Sequence, residues 1–133
     1  MRRFLLVAVV AVGFPAGAAA TWSLTGSGAA AAKAKTLGPG NVPSAAVSGR
    51  RVTVGWTASS YTNGGTVAGY VIRRYNAVTG AGQGAANGCS GTVIALDCTE
   101  SNVPSGNWQY TVTPAAGNWR GAEGAKSAVA VVP

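Results

Sequence analysis

Histidine is absent from this 133-residue chain, and acids are nearly so: Asp97, Glu100 and Glu123 make up the full set. Without an imidazole there is no Ser-His-Asp triad, no Cys-His pair and no ordinary zinc site. Three acids serve the remaining hydrolytic chemistries poorly. A glycosidase needs two carboxylates facing each other across a cleft. Asp97 and Glu100 are three residues apart, which on a regular strand sends them to opposite faces, and Glu123 reaches them only through a loop. Calcium sites take clustered oxygen ligands with more than one acid, and the chain is poor in both. Lys126 and Ser127 are neighbours in sequence alone. The glycine-rich stretch 80–91 lacks the Lys-Ser/Thr ending of a phosphate-binding loop and opens no helix. The sequence therefore predicts no catalytic residue, no metal ligand set and no cofactor: the chain is not expected to be an enzyme.

Charge of either sign is sparse, at 10% of residues, yet the balance is basic, with a formal net charge of +7. Setting aside Arg2 and Arg3, eight basic and three acidic residues leave +5. That surplus favours anionic surroundings such as wall polymers, lipid headgroups or nucleic acid. The basic residues fall in scattered pairs (Lys33/Lys35, Arg50/Arg51, Arg73/Arg74) and not in one dense run, so nucleic acid is not an expected partner. Leucine is also scarce, and Gly, Ala, Val, Ser and Thr dominate. Few strong helix formers remain outside the Ala-rich N-terminal third, and the composition leans towards strands and tight turns.

The N-terminus has the parts of an export signal. Arg2 and Arg3 precede an apolar run over 4–14, Pro15 and Gly17 interrupt it, and the small residues Ala18, Ala19 and Ala20 follow. Arginines held on the cytoplasmic side, an apolar helix in the bilayer and a broken small-residue end are what a signal peptidase accepts. Residues 4–24 would just cross a bilayer as an uncleaved anchor, but Pro15, Gly17 and the polar 21–23 stretch weaken their second half, and cleavage is the preferred reading. Both readings place the rest of the chain outside the cytoplasm. In an oxidising compartment Cys89 and Cys98 are expected to form a structural disulfide. Neither a C-x-x-C spacing nor a further Cys points to redox or metal chemistry.

Residues 21–41, small, polar or alanine and ending in Gly and Pro, read as a flexible spacer. Strand signals follow at short intervals. Val52, Val54 and Trp56 alternate with Thr53, Gly55 and Thr57, the period-2 pattern of a strand with one buried face. Residues 61–66 (YTNGGT) read as a turn. On the next strand Tyr70 and Ile72 share one face, with Arg73 and Tyr75 on the other. Residues 76–88 read as a long mobile hairpin loop. Residues 92–96 and 98–103 read as one or two short strands, Trp108, Tyr110, Val112 and Pro114 alternate down another, and 115–124 is expected to be a loop. Residues 127–132 close the sheet, and a short strand near 45–47 opens it. The count of about seven predicts an all-β, immunoglobulin-like sandwich over 42–133, preceded by a signal helix (1–20) and the spacer.

From residue 42 onward the chain resembles a fibronectin type III domain. The resemblance rests on Pro43 opening the first strand, the strand Val52-Thr53-Val54-Gly55-Trp56, the run Val67-Ala68-Gly69-Tyr70-Val71-Ile72-Arg73, and the corner Val103-Pro104-Ser105-Gly106 followed by Tyr110-Thr111-Val112. It implies core roles for Trp56 and Tyr70. Tyr110 sits further from the corner glycine than the family's corner tyrosine does, which leaves Trp108 to share or take that role. The leader is similar to that of exported surface proteins of the camelysin and TasA type, through Ala19-Ala20-Thr21-Trp22-Ser23 and the small-residue stretch ending at Thr36-Leu37.

Aromatics and arginines carry the remaining functional signal. Trp56 and Trp108 lie on alternating apolar strands and are expected in the core. Trp119, beside Arg120 in a glycine-flanked loop, either stacks on a sugar or a partner protein or folds back to cap the end of the sandwich. The capping reading is the preferred one. Arg73 and Arg74 form a second, weaker contact patch. The expected role is an exported bacterial cell-surface or secreted module without catalysis, whose partner is a protein or an anionic or glycan surface polymer. The alternatives are a self-assembling matrix or filament subunit and a carbohydrate-binding accessory domain. Membrane contact is expected only through an uncleaved N-terminus.

Overall fold

The computed structural model describes residues 35–133; the expected signal segment and spacer residues 21–34 lie outside them. Among the described residues there are nine strands and no α-helix. They are β1 (Ser44–Ser48), β2 (Arg51–Gly55), β3 (Gly69–Asn76), β4 (Gly82–Gly84), β5 (Thr92–Val93), β6 (Asp97–Glu100), β7 (Gly106–Ala116), β8 (Trp119–Arg120) and β9 (Ala130–Val132). One sheet runs β1-β2-β6. The other runs β4-β3-β7-β8, with β5 also on β3 and β9 also on β7. Every pairing is antiparallel.

The alternating valines bury as their period requires. Val52 and Val54 are fully inside while Arg51 and Thr53 face solvent, each buried valine contributing about 1.5–3 kcal/mol. They meet Tyr70, Ile72, Tyr110, Val112, Ala130 and Val132 from the second sheet. Trp56 and Tyr70 pack edge to face with ring centroids 5.5 Å apart. The Tyr70 hydroxyl accepts the Ser59 N–H at 2.9 Å and donates to the Val67 carbonyl at 3.3 Å, so its polar end is satisfied inside the core. Trp108 is half-buried, and its indole N–H donates to the Pro104 carbonyl four residues upstream at 2.8 Å. It thus makes the backward bond that a corner tyrosine makes in such sandwiches, while Tyr110 turns inward.

Three sequence expectations are corrected here. The strand count is nine and not seven, because β4 forms inside the expected loop 76–88 and β8 inside the expected loop 115–124, while 92–96 and 127–132 yield only the short β5 and β9. Between β8 and β9 the chain still follows β7: the N–H groups of Gly121, Gly124 and Ser127 donate to the carbonyls of Pro114, Val112 and Tyr110. Three residues advance on one side for every two on the other, a succession of bulges that blunts this sheet edge. Residues 76–88 are not a long open loop. Asn76 Oδ1 accepts the N–H groups of Val78 and Thr79 at 2.8 and 2.9 Å, a side-chain turn that folds β4 back onto β3. Gly82 fits there because a Cβ would meet the Tyr75 ring at 2.3 Å.

The spacer, thirdly, ends earlier than its composition implies. Gly38 N–H bonds to the Ser60 carbonyl and Gly40 N–H to the Ala122 carbonyl, both at 3.0 Å. Ser59 Oγ donates to the Pro39 carbonyl at 3.0 Å, and the Asn41 amide donates to the Thr57 and Ala58 carbonyls. Residues 36–41 are therefore woven into the sandwich. A Cβ on Gly40 would lie 1.8 Å from the Val112 carbonyl oxygen, whereas one on Gly84 meets nothing within 4 Å. Gly40→Ala is expected to destabilise the protein by about 2 kcal/mol or more, since the obstacle is backbone in a packed layer. Gly84→Ala should stay within about 1 kcal/mol of wild type. Urea denaturation of the two variants checks the contrast; equal midpoints would contradict the woven segment.

Candidate binding surface

The inner and outer faces of β3 carry different chemistry, and period 2 decides which residue goes where. Tyr70, Ile72 and Arg74 point inward. Arg74, expected on an exposed patch, is 5% exposed. Its Nη1 donates to Glu100 Oε1 at 2.7 Å, and its guanidinium lies 4.5 Å from the Trp108 ring centroid. Glu100, fully buried, also accepts the Ala86 N–H at Oε1 and the Tyr110 hydroxyl at Oε2, each at 2.8 Å. Burial, and then the carboxylate to which it donates, push the Tyr110 phenol far above its usual value. Because Glu100 sits on β6 and its partners on β3 and β7, this cluster pins one sheet to the other. Arg74 is accordingly a structural residue and is withdrawn as a contact residue.

The outer face of β3 presents Arg73, exposed, and Tyr75, half-buried. The Tyr75 hydroxyl donates to Glu123 Oε1 at 2.6 Å, and Thr111 Oγ1 donates to the same oxygen at 2.7 Å. Lys126 Nζ stands 4.5 Å from the Tyr75 ring centroid and the Arg73 guanidinium 5.5 Å. Partial burial opposes ionisation of Glu123, but the two hydrogen bonds and the charges of Arg73 and Lys126 outweigh it and hold the carboxyl below the usual range. The bond to Glu123, then partial desolvation, raise the Tyr75 phenol. A carboxyl whose folded pKa is depressed adds stability above its unfolded pKa and loses it as pH falls through the folded one. Wild type should therefore exceed Glu123→Gln in stability at neutral pH, and the gap should close as the pH falls below the ordinary carboxylate range. Thermal melts across that range test this; a gap independent of pH would contradict it.

Trp119 stands at the far end of the same sheet. Gly117, at φ 60°, opens the two-residue turn between Ala116 and Trp119, the backbone a tight hairpin turn demands. Trp119 is 73% exposed, so the expectation that it folds back over the sandwich end is overturned: the turn carries it past the last core layer. The Arg120 Nη1 donates to the carbonyls of Gly117 and Trp119 at 2.8 and 3.0 Å, closing the tip on itself. Ile94 and Leu96, 83% and 45% exposed, are at the same end, since β5 pairs with the start of β3 where Gly69 faces Ala115.

Of the residues singled out in the sequence, Trp119 and Arg120 come together on the tip. Arg73 lies opposite Thr111, roughly 15 Å back along the strand at about 3.3 Å per residue, and does not join them. Cys89 and Cys98 form a disulfide, with Cα atoms 5.2 Å apart and both side chains buried. It ties a single 3₁₀ turn (Asn87–Cys89) to β6. Sequence reasoning did not find the Tyr75, Glu123 and Lys126 cluster. Only the alternation placing Tyr75 beside Arg73 signalled it; the contribution of 121–129 depends on bulges that no pattern records.

Two antiparallel sheets enclose Trp56 and Tyr70 in an all-β sandwich, with the Trp108–Pro104 bond at the corner where β7 begins. No family model and no curated protein sequence matches the chain. Solved structures do. Domains A168-A170 of titin are similar at 13% identity with a TM-score of 0.61, over 73% of this chain and 32% of that one. Titin kinase with its flanking domains is similar at 16% and 0.62, over 74% and 18%. A fibronectin type III domain from the human KIAA0970 protein is similar at 15% and 0.53, over 74% and 72%. The chain thus spans a third or less of the titin structures, and at such identities the likeness is one of fold.

Proposed function

We propose that this chain is an exported bacterial module, on the cell surface or secreted, that binds a surface polymer or protein through the Trp119–Arg120 tip and performs no catalysis. The observation that carries the reading is a tryptophan 73% exposed on a two-residue turn. An indole held out on a pinned scaffold gives a large contact area at little entropic cost. The disulfide and the export-like leader support a place outside the cytoplasm. A glycan or anionic wall polymer suits a tip that pairs an indole face with a guanidinium, among a surplus of positive charge.

Co-sedimentation of the purified protein with isolated cell-wall sacculi tests the reading. Trp119→Ala should leave the melting temperature unchanged, because the side chain packs against no core, and weaken binding at least about 30-fold, the loss typical of an aromatic hot spot. Equal binding by variant and wild type would overturn the reading. Self-assembly is a second reading, favoured by one feature: β1 ends its sheet and carries only Ser, Ala and Val, an edge without the charges that discourage strand addition. Sedimentation equilibrium separates the two, since a monomer at high concentration removes the assembly reading.

A further inference from the structure

The end of the sandwich opposite Trp119 carries a polar cleft lined by Ser48, Arg50, Arg51, Ser101 and Asn102. Its walls are the turn joining β1 to β2 and the corner leaving β6, brought together because Val52 pairs with Glu100. Gly49, at φ 61°, takes the first central position of the turn and Arg50 the second; glycine in that place is the requirement of a type II′ hairpin. Asn102 is left-handed at φ 59°, which its short amide side chain tolerates. The walls are clamped: Val103 N–H donates to the Arg50 carbonyl at 3.0 Å, and Arg50 Nε donates back to the Val103 carbonyl at 3.1 Å. Arg50 is thus held by its Nε, while among the described residues its terminal amino groups and the whole Arg51 guanidinium bond to no protein atom.

The side chains lining the cleft include no acid. All three acids of the chain are accounted for. Glu100, nearest in sequence, is buried and neutralised by Arg74 at 2.7 Å. Asp97 lies opposite Gly55 at the other end of β6. Glu123 is engaged by Tyr75 and Thr111. Two arginines, two serines and an asparagine therefore line one cleft with no acidic side chain among them. Arginine forks match the oxygens of a phosphate two at a time, and Ser and Asn donors supply further directions around a tetrahedral group.

We propose that this cleft binds a phosphate group, as the free ion or as the ester of a polyanionic polymer, at a site separate from the Trp119 tip. Neither Trp119 nor Arg120 lines it.

The test is an NMR titration of the ¹⁵N-labelled protein at constant ionic strength, with inorganic phosphate in one arm and a glycerol-phosphate oligomer in the other. Chloride at the same ionic strength is the reference. The expected result is a saturable shift confined to the amides of residues 48–51 and 101–103. Arg51→Gln, which removes no structural bond, should weaken it at least tenfold, and Arg73→Gln should leave it unchanged. A response to phosphate makes the free ion sufficient; a response to the oligomer alone makes the ester the source. Either supports the site. No shift in either arm, a shift unaltered by Arg51→Gln, or one spread equally over Arg73, Arg120 and Lys126 would overturn it.

Discussion

Glu100→Ala is expected to cost about 3–5 kcal/mol of unfolding free energy, the usual consequence of removing one partner from a buried ion pair. The side chain is fully buried and accepts three hydrogen bonds, from Arg74, the Ala86 N–H and Tyr110. Its removal strands a guanidinium in the core, where the charge has neither water nor a counter-ion, and leaves a hydroxyl and a backbone amide unpaired. Against a typical total of about 5–15 kcal/mol, that brings the fold close to its limit. The cost belongs to the stranded charge more than to the pair itself, because two ions withdrawn from water recover little net energy from meeting. The double variant Arg74→Met/Glu100→Leu should therefore recover most of what Glu100→Ala loses. Urea denaturation of the three proteins decides. A loss under 1 kcal/mol for Glu100→Ala, or a double variant no better than the single, would contradict the inter-sheet pin.

Reduction of the Cys89–Cys98 bond is expected to lower stability by about 2.5–3 kcal/mol, the loop-entropy cost for a closed ring of about ten residues. The bridge fastens the 3₁₀ turn against β6, whose outer side would otherwise be a free sheet edge. A Cβ on Gly88 would meet the Thr99 carbonyl oxygen at 2.4 Å, so the turn lies directly on that strand. The Ala86 amide that reaches Glu100 starts the same turn, and loosening it also loosens one bond of the pin. Reduced and oxidised protein compared in urea measure the effect, with thiol titration of the native protein expected to find no free cysteine. A midpoint insensitive to reductant would show that the turn is held by packing alone.

The core was legible because its logic is local. Alternation placed Val52, Val54, Tyr70 and Ile72 inside, whereas the corner role of Trp108 came from the fibronectin type III resemblance and not from the pattern. The same alternation, carried two residues past Ile72, puts Arg74 inside as well. What hid this was its charge: a buried arginine needs a partner, and Glu100 is 26 residues away, aligned only by the register of two different sheets. Residues 36–41 were misread for another reason. A stretch rich in Gly, Pro and small residues looks the same whether it is loose or whether, as at Gly40 and Gly124, two backbones approach too closely for a Cβ. For Trp119 the sequence favoured capping, and the geometry of a two-residue turn reversed that choice. The arginine cleft was invisible, since Arg50 and Ser101 meet only once β2 and β6 are paired.

Most depends on a rigid sandwich that, among the described residues, holds the Trp119 indole out and the Trp56 indole in. Solvent accessibility of the indole N–H groups, read by NMR with a soluble paramagnetic agent and with Trp119→Phe for assignment, tests this directly. The Trp119 signal should broaden and exchange as a free indole does, while that of Trp56 stays sharp and slow. A Trp119 signal as protected as that of Trp56 would contradict it.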